Sequence, residues 1–275
     1  MKKVVFFDID GTLVSSQNHI PPSTKRAVKA LKQQGILPVI ATGRATVLLE
    51  EVRKELEIDS YIAMNGQLVV LEGKTIFVNP LPQALLKQLM EQAAKDRKGI
   101  VLCGTDDIYS NSFISLVKRS SVLSILKKVG KLIPSKIQMS LFSRLIRKPP
   151  KPDDYEGKDI CQVILEVDET EELAYRERFG ELHFARSNDY TVDVLSAGIS
   201  KATGIEQMIQ QLDVDVKDTY AFGDSLNDLE MIQYVGTGVS MGNGWKELKE
   251  VADMVTENVA HDGIEKALKK LNLIP

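Results

Sequence analysis

The chain opens on an apolar run that leads into two aspartates, Val4-Val5-Phe6-Phe7-Asp8-Ile9-Asp10-Gly11-Thr12. Four consecutive apolar residues predict a strand of a parallel sheet, because such a strand is covered on both faces. Asp8 and Asp10 are two positions apart, which puts them on one side of the chain. Ligands of open α/β sheets bind beyond the carboxyl ends of the strands. The segment therefore predicts a central strand that ends in an acidic site, although a plain Asp-Gly turn would have the same residues.

Helices and strands alternate from this first strand onward. The predicted elements are a helix from Pro21-Pro22-Ser23 to Gly35, a strand at 36–41, a helix at about 47–56, a strand at 61–64, and a hairpin of residues 68–71 and 75–78. The first five elements have the order βαβαβ. This order predicts the α/β class with a doubly wound parallel sheet.

The α/β pattern stops near residue 80 and resumes far along the chain. Pro80 and Pro82 mark the change, and residues 81–190 mix helices and strands without a βαβ repeat. The resumed elements are a helix at 204–212, a strand at 220–223, a helix at 228–235 and a strand at 238–241. We therefore predict a discontinuous core of residues 1–80 and 191–275, with an α+β module inserted at 81–190.

The composition is that of a folded protein, since 43% of the 275 residues are hydrophobic and 27% are charged. A net charge of −3 gives no general attraction to nucleic acid or anionic lipid, so neither partner is expected. Asp8 interrupts the apolar amino-terminal run, and no window holds the roughly 20 apolar residues of a membrane span. Cys103 and Cys161 are too few for a disulfide framework. We expect a cytoplasmic protein with two buried thiols.

Three further segments carry polar groups at positions suited to an ion. Thr42-Gly43-Arg44 follows the second predicted strand, where a hydroxyl and backbone N–H groups can bind phosphate, or where Thr42 can cap a helix. Lys201 precedes a helix and can place a point charge on a phosphate oxygen, although most such lysines face solvent. Gly223-Asp224-Ser225-Leu226-Asn227-Asp228 follows another apolar strand and offers oxygen ligands for magnesium, or a capped turn. Together with the two amino-terminal aspartates, these residues suit phosphoryl transfer.

In this order the segments resemble the four motifs of the haloacid dehalogenase (HAD) superfamily. The residues that match are Asp8-Ile9-Asp10-Gly11-Thr12, Thr42-Gly43-Arg44, Lys201 and Gly223-Asp224-Ser225-Leu226-Asn227-Asp228. The Cof-type sugar-phosphate phosphatases match best, because Asn65-Gly66, Met241-Gly242-Asn243-Gly244 and Asp262-Gly263 also lie where that subfamily has such residues. Ala202 and Gly244 depart from its usual glycine and alanine, and neither change removes a functional group. The resemblance implies the HAD core fold, with residues 81–190 as its cap domain.

The resemblance also implies a magnesium-dependent phosphatase that works through an aspartyl-phosphate. Asp8 would attack phosphorus, and Asp10 would protonate the leaving oxygen and then activate water. Mg²⁺ would be held by the Asp8 carboxylate, the Asp10 backbone carbonyl and Asp224. The other implied site residues are the Ile9 N–H, Thr42, the Gly43 N–H, Lys201 and Asn227 for the phosphoryl oxygens, and Asp228 to orient Lys201 or the water shell of the metal. Arg44 would either anchor its helix or contact substrate, and its loss should cost less activity than the loss of Lys201.

The implied partner is a small phosphorylated metabolite, with sugar phosphates as the family expectation. One alternative is a regulator that binds such a metabolite without turnover, but a regulator would need neither Asp8 nor Asp10. A second alternative is a phosphotransferase or mutase, which would use the same intermediate and exclude water. The sequence leaves this second alternative open.

The predicted cap contains a basic segment. No acid occurs at 108–152, while ten lysines and arginines lie between Lys118 and Lys151. This segment is either a solvated surface, interspersed with apolar residues such as Leu123, or a positive field that steers anionic substrates. Neutralising Lys127, Lys128 and Lys131 should lower kcat/KM in a salt-dependent way only in the second case.

Overall fold

The computed structural model describes residues 3–109, 155–186 and 190–275. They belong to two compact units, one of Met1–Val78 with Ile199–Pro275 and one of Asn79–Gly198. The basic segment, with Lys127, Lys128 and Lys131, lies outside the described residues.

Strands and helices are numbered in chain order. The strands are β1 (Val4–Phe7), β2 (Leu37–Ala41), β3 (Tyr61–Ala63), β4 (Leu68–Leu71), β5 (Lys74–Val78), β6 (Ile100–Gly104), β7 (Ile108–Tyr109), β8 (Ile160–Glu166), β9 (Leu182–Arg186), β10 (Thr191–Ser196), β11 (Thr219–Gly223), β12 (Thr237–Ser240) and β13 (Met254–Val255). The helices are α1 (Pro22–Gln33), α2 (Thr46–Leu56), α3 (Gln83–Lys95), α4 (Glu169–Arg178), α5 (Lys201–Leu212), α6 (Leu229–Tyr234), α7 (Lys246–Val251) and α8 (Gly263–Lys270).

The first unit is built on an eight-stranded sheet in the order β13-β12-β11-β1-β2-β3-β4-β5. The strands from β13 to β3 run parallel, while β4 and β5 are added antiparallel at one edge. β1 lies centrally and pairs with β11 on one side and β2 on the other. The predicted α/β class with a parallel sheet is confirmed. Strands from both ends of the chain meet around β1.

The apolar residues of β1 pack on both faces of this sheet. Val4 and Phe6 belong to a core cluster that includes Ile205 and Met208 of α5. Phe7 stacks on Phe222 of β11 with 5.1 Å between the ring centroids. All four residues of β1 are fully buried, as expected of a strand with helices on both faces.

The second unit contains a five-stranded antiparallel sheet in the order β7-β6-β8-β10-β9. Leu86 and Leu89 of α3 and Tyr175 of α4 pack against buried strand residues such as Leu165 and Val194. Since β10 pairs with β8 and β9, residues 191–198 belong to this unit. The predicted start of the second core segment, residue 191, therefore lies too early in the chain.

Two further expectations concern cysteines and membranes. Cys103 and Cys161 are both buried, as expected. Within the described part of the chain, none of the helices combines the length and the apolarity needed to cross a bilayer.

Candidate active site

The predicted site residues follow neighbouring parallel strands of the first unit. Asp8 comes directly after β1, Thr42 after β2 and Asp224 after β11. Because parallel strands end at the same edge of a sheet, the three loops meet there. Lys201, the first residue of α5, reaches the same place from a distant part of the chain.

The loop after β1 folds back on itself. Val14 N–H donates to the Ile9 carbonyl at 2.8 Å, and Leu13 N–H donates to the Asp8 carbonyl at 3.2 Å. Gly11 makes this possible with a φ of +82°, which L side chains rarely adopt. A Cβ at Gly11 would lie 2.1 Å from Asp224 Oδ2, so the absence of a side chain lets the two acidic loops approach.

Lys201 is the centre of a buried ion cluster. Its Nζ donates to Asp8 Oδ1 at 2.6 Å and to Asp228 Oδ1 at 2.7 Å. Its side chain and that of Asp228 are fully buried, and that of Asp8 is 7% exposed. Burial alone would lower the pKa of Lys201, but the two carboxylates outweigh it and raise that pKa above its ordinary value. Lys201 therefore remains a cation.

Asp228 holds the acidic loop after β11 in shape. Its Oδ2 accepts from the Asp224 and Ser225 backbone N–H groups, both at 3.0 Å, while its Oδ1 accepts from Lys201. A carboxylate with these partners is fixed in place. The supporting role of Asp228 stays a prediction.

The carboxylates of Asp8, Asp224 and Asp228 form a cluster whose ligand oxygens lie within 4.8 Å of one another. Burial raises the pKa of Asp8 to about 8, with Asp228 and Asp224 adding to the shift and Lys201 opposing it. Burial likewise raises the pKa of Asp224 to about 7. A divalent cation between Asp8 and Asp224 would lower both values, and oxygens alone are the donors that Mg²⁺ prefers. The donor set therefore fits such a cation.

Asp10 lies apart from this cluster and faces solvent. Its side chain is 64% exposed and pairs with Arg44. Arg44 Nε donates to Asp10 Oδ2 at 2.8 Å, and Arg44 Nη2 donates to Asp10 Oδ1. Arg44 also donates to the Leu48 carbonyl of α2 at 3.1 Å. The two roles predicted for Arg44, helix anchor and substrate contact, both stay predictions, and its pair with Asp10 was not predicted.

Thr42, Gly43 and Asn227 converge on Asn65. Asn65 N–H donates to the Thr42 carbonyl at 3.0 Å, and Asn227 Nδ2 donates to Asn65 Oδ1 at 3.1 Å. A Cβ at Gly43 would lie 3.1 Å from the Asn65 amide atoms. Asn65 is 5% exposed and has a φ of +53°. No role was predicted for Asn65, and its Asn-Gly turn after β3 was the available signal.

Asn243 was the second residue without a predicted role. Its Nδ2 donates to the Gly11 carbonyl at 2.8 Å and to Asp224 Oδ2 at 3.4 Å. Thr12 Oγ1 donates to Asp224 Oδ1 at 3.3 Å. Ile9 is fully buried. The structure thus brings the four predicted segments together and adds Asn65 and Asn243.

A family model, a relative of known sequence and two solved structures are all similar to this chain. A family model described as haloacid dehalogenase-like hydrolase matches residues 5–268. A Bacillus subtilis (strain 168) protein named "Putative phosphatase YkrA" is 41% identical over 274 residues, which cover 99% of this chain and 98% of the relative. A crystal structure from Geobacillus kaustophilus HTA426 has a TM-score of 0.84 and 42% identity over the full length of both chains. The structure of the HAD subclass IIB sugar phosphatase BT4131 has a TM-score of 0.79 and 27% identity, and the match covers 99% of this chain and 100% of that one.

Proposed function

The chain belongs to the haloacid dehalogenase-like hydrolases, in which it is a phosphoric monoester hydrolase, and we propose that it cleaves small phosphorylated metabolites through a phosphoryl group carried on Asp8. Sugar phosphates are the first substrate class to test, because a solved relative at 27% identity is a sugar phosphatase. One observation carries the proposal. The Asp8 carboxylate is held by buried Lys201 beside Asp224, at the edge of the sheet where ligands bind.

The first step forms one bond to phosphorus and breaks another. An Asp8 carboxylate oxygen attacks phosphorus in line, and the bond from phosphorus to the leaving oxygen breaks. Asp10 donates a proton to that oxygen, so that an alcohol leaves. Asp10 holds Arg44 through both carboxylate oxygens, so this pair must open before Asp10 can protonate the leaving group.

The second step restores the nucleophile. Asp10, now a carboxylate, accepts a proton from water as the water oxygen attacks phosphorus. The bond between phosphorus and the Asp8 oxygen breaks, which leaves inorganic phosphate and the Asp8 carboxylate. Lys201, which donates to Asp8 Oδ1, stabilises that carboxylate as it is released.

The other site residues bind the transferring group or a metal. Thr42, Lys201, Asn227 and the N–H groups of Ile9 and Gly43 are proposed to bind the phosphoryl oxygens. The Asp8 and Asp224 carboxylates and the Asp10 backbone carbonyl would hold Mg²⁺, with Asp228 in support through its contacts to Lys201 and to the backbone of the third loop. When bound, the cation supplies positive charge that screens the repulsion between Asp8 and the anionic substrate.

The inserted unit is proposed to be the cap that selects the substrate. It enters the chain between β5 and Ile199, and thus between the Thr42 loop and Lys201. Variation in such an insert can change the leaving group that is accepted without altering the residues that act on phosphorus.

The test is phosphate release from a panel of sugar phosphates, nucleotides and flavin mononucleotide, with Mg²⁺ or with a chelator. We expect the parent to release phosphate only with Mg²⁺, and Asp8→Asn to abolish release because an amide is a poor nucleophile. Asp59→Asn is the matched control, since Asp59 is 75% exposed and pairs with Arg53. Unchanged release by Asp8→Asn would refute the proposed nucleophile. If the parent were inactive and yet melted higher with a panel compound, the protein would be a binding protein.

A further inference from the structure

The loop after β12 links the two acidic loops through one side chain. Asn243 Nδ2 donates to the Gly11 carbonyl at 2.8 Å and to Asp224 Oδ2 at 3.4 Å. Its Oδ1 accepts from the Val259 N–H at 2.9 Å, which ties the amide to a fourth segment. One amide therefore contacts the turn that follows Asp8 and Asp10 and also the carboxylate of Asp224.

The loop that carries Asn243 is itself held firmly against the acidic loop after β11. Met241 N–H donates to the Gly223 carbonyl and Trp245 N–H donates to the Asp224 carbonyl, both at 2.9 Å. Lys249 Nζ donates to the Gly242 carbonyl at 2.7 Å. These bonds on either side of Asn243 limit how far its amide can move.

Both oxygens of the Asp224 carboxylate have a side-chain donor. Thr12 Oγ1 donates to Oδ1 at 3.3 Å, and Asn243 Nδ2 donates to Oδ2. Thr12 lies in the first acidic loop and Asn243 in the loop after β12, so the carboxylate is oriented from two sides. A carboxylate that must bind a cation loses less freedom on binding when such donors already fix its direction.

We propose that Asn243 is a positioning residue for the divalent cation: its amide fixes the Asp224 carboxylate relative to the turn after Asp8 and Asp10, and this sets the affinity for Mg²⁺. The inference rests on the metal site of the proposed function. Partners behind a metal ligand typically account for a 10–100-fold change in metal affinity. Asn243 itself acts through Asp224 and Gly11.

The test measures Mg²⁺ affinity without substrate. The melting temperature of the parent, Asn243→Ala and Asn258→Ala is recorded against MgCl₂ concentration at constant ionic strength, and the dependence gives the Kd for Mg²⁺. Asn258→Ala is the matched control, since Asn258 Oδ1 accepts from the Ala260 N–H at 2.9 Å beside Val259. We expect Asn243→Ala to raise the Kd by roughly 10-fold and Asn258→Ala to leave it within about twofold.

Activity gives a second measurement. At saturating Mg²⁺ the kcat of Asn243→Ala should return to within a few-fold of the parent, because cation affinity is what the substitution lowers. If Asn243→Ala does not fold, Asn243→Ser is used, whose hydroxyl is shorter than the amide, with the same expected rise in Kd.

An unchanged Kd in the folded variant would overturn the positioning role, whatever happens to the activity. A parent protein whose melting temperature does not change with MgCl₂ concentration would overturn the positioning role as well. Neither result decides the proposed function, which is judged separately by phosphate release from the parent and from Asp8→Asn.

Discussion

At the scale of single residues, the site depends on one buried cation among three acids. Burying a charge is costly unless a partner compensates it, and Lys201 has two partners within 2.7 Å. Asp228 is the fixed member of the trio, because its other oxygen binds backbone N–H groups. Asp8 differs, because Lys201 is the one partner of its carboxylate among the hydrogen bonds of the described residues. This difference suits Asp228 to support and Asp8 to react.

The proposed acid role of Asp10 predicts an effect that depends on the leaving group. Asp10→Asn removes the proton donor, so kcat/KM for a sugar phosphate should fall about 10²–10⁴-fold. A p-nitrophenolate leaving group needs no proton, so kcat/KM for p-nitrophenyl phosphate should fall much less. Steady-state kinetics of both substrates measures the two ratios.

Arg44→Gln is the control for this experiment. It removes the ion pair that Asp10 makes and keeps the carboxyl group. If Arg44 only holds Asp10 in the free enzyme, the loss of Arg44 should change kcat/KM for both substrates by a similar factor. Equal losses for both substrates in Asp10→Asn would contradict the acid role.

The sequence predicted which residues lie at the sheet edge but not all of their partners. The positions of Asp8, Thr42 and Asp224 were predictable, because the local sequence pattern is enough to recognise a polar residue that follows a buried strand. The contacts of Asp10 with Arg44 and of Asn243 with Gly11 depend on how two loops turn. A φ of +82° at Gly11 decides one of those turns, and no periodicity reports it.

At the scale of elements, two glycines bring α5 close to the turn after β3. A Cβ at Gly66 would lie 2.0 Å from the Ser200 carbonyl, and one at Gly204 would lie 2.6 Å from Ile62 Cγ2. The close approach positions the first turn of α5, where Lys201 begins the helix. The sequence predicted this helix only from residue 204. Ser200 N–H bonds to Thr203 Oγ1 at 2.9 Å. Because a capping box usually has glutamate or glutamine at that position, the common sequence signal for the start of a helix is missing here.

Strands β8 and β10 carry a polar pair, buried Gln162 and partly buried Asp193, that predicts pH-dependent stability. Desolvation raises the pKa of Asp193 from 3.8 to about 7, and the side chain of Gln162 opposes the shift. Between these values the native state binds the extra proton, so this group's contribution is fully present below about pH 4 and is lost as pH rises through 7. Asp193→Asn should therefore gain roughly 1–3 kcal/mol over the parent between pH 5 and pH 8.

Urea unfolding of parent and variant at the two pH values measures this difference. Asp106→Asn, at an exposed aspartate of the same unit, controls for the loss of a carboxylate as such. Asparagine can also donate to Gln162 Oε1, which has no hydrogen-bond partner among the described residues. A free-energy difference between Asp193→Asn and parent that is the same at pH 5 and pH 8 would show that Asp193 is ionised throughout.

At the scale of the whole molecule, the chain leaves its first unit after β5 and returns at Ile199. The interruption was predictable, since the βαβ order stops and resumes. The point of return was placed too early because Thr191-Val192-Asp193-Val194-Leu195-Ser196 carries no signal for which sheet it joins. Its assignment rests on pairing with β8 and β9, which involves residues as far away in sequence as Val163.

Because each unit has its own buried core, we predict two thermal transitions. Leu165→Ala removes a fully buried side chain of the second unit and Met208→Ala one of the first. Each should cost about 2–5 kcal/mol and lower one transition by roughly 5 °C or more, leaving the other in place.

Mg²⁺ should raise only the transition that Met208→Ala lowers, because the acidic cluster belongs to the first unit. Differential scanning calorimetry resolves the two. A single transition with equal calorimetric and van't Hoff enthalpies, which both substitutions and Mg²⁺ shift alike, would instead mean that the units unfold as one cooperative body.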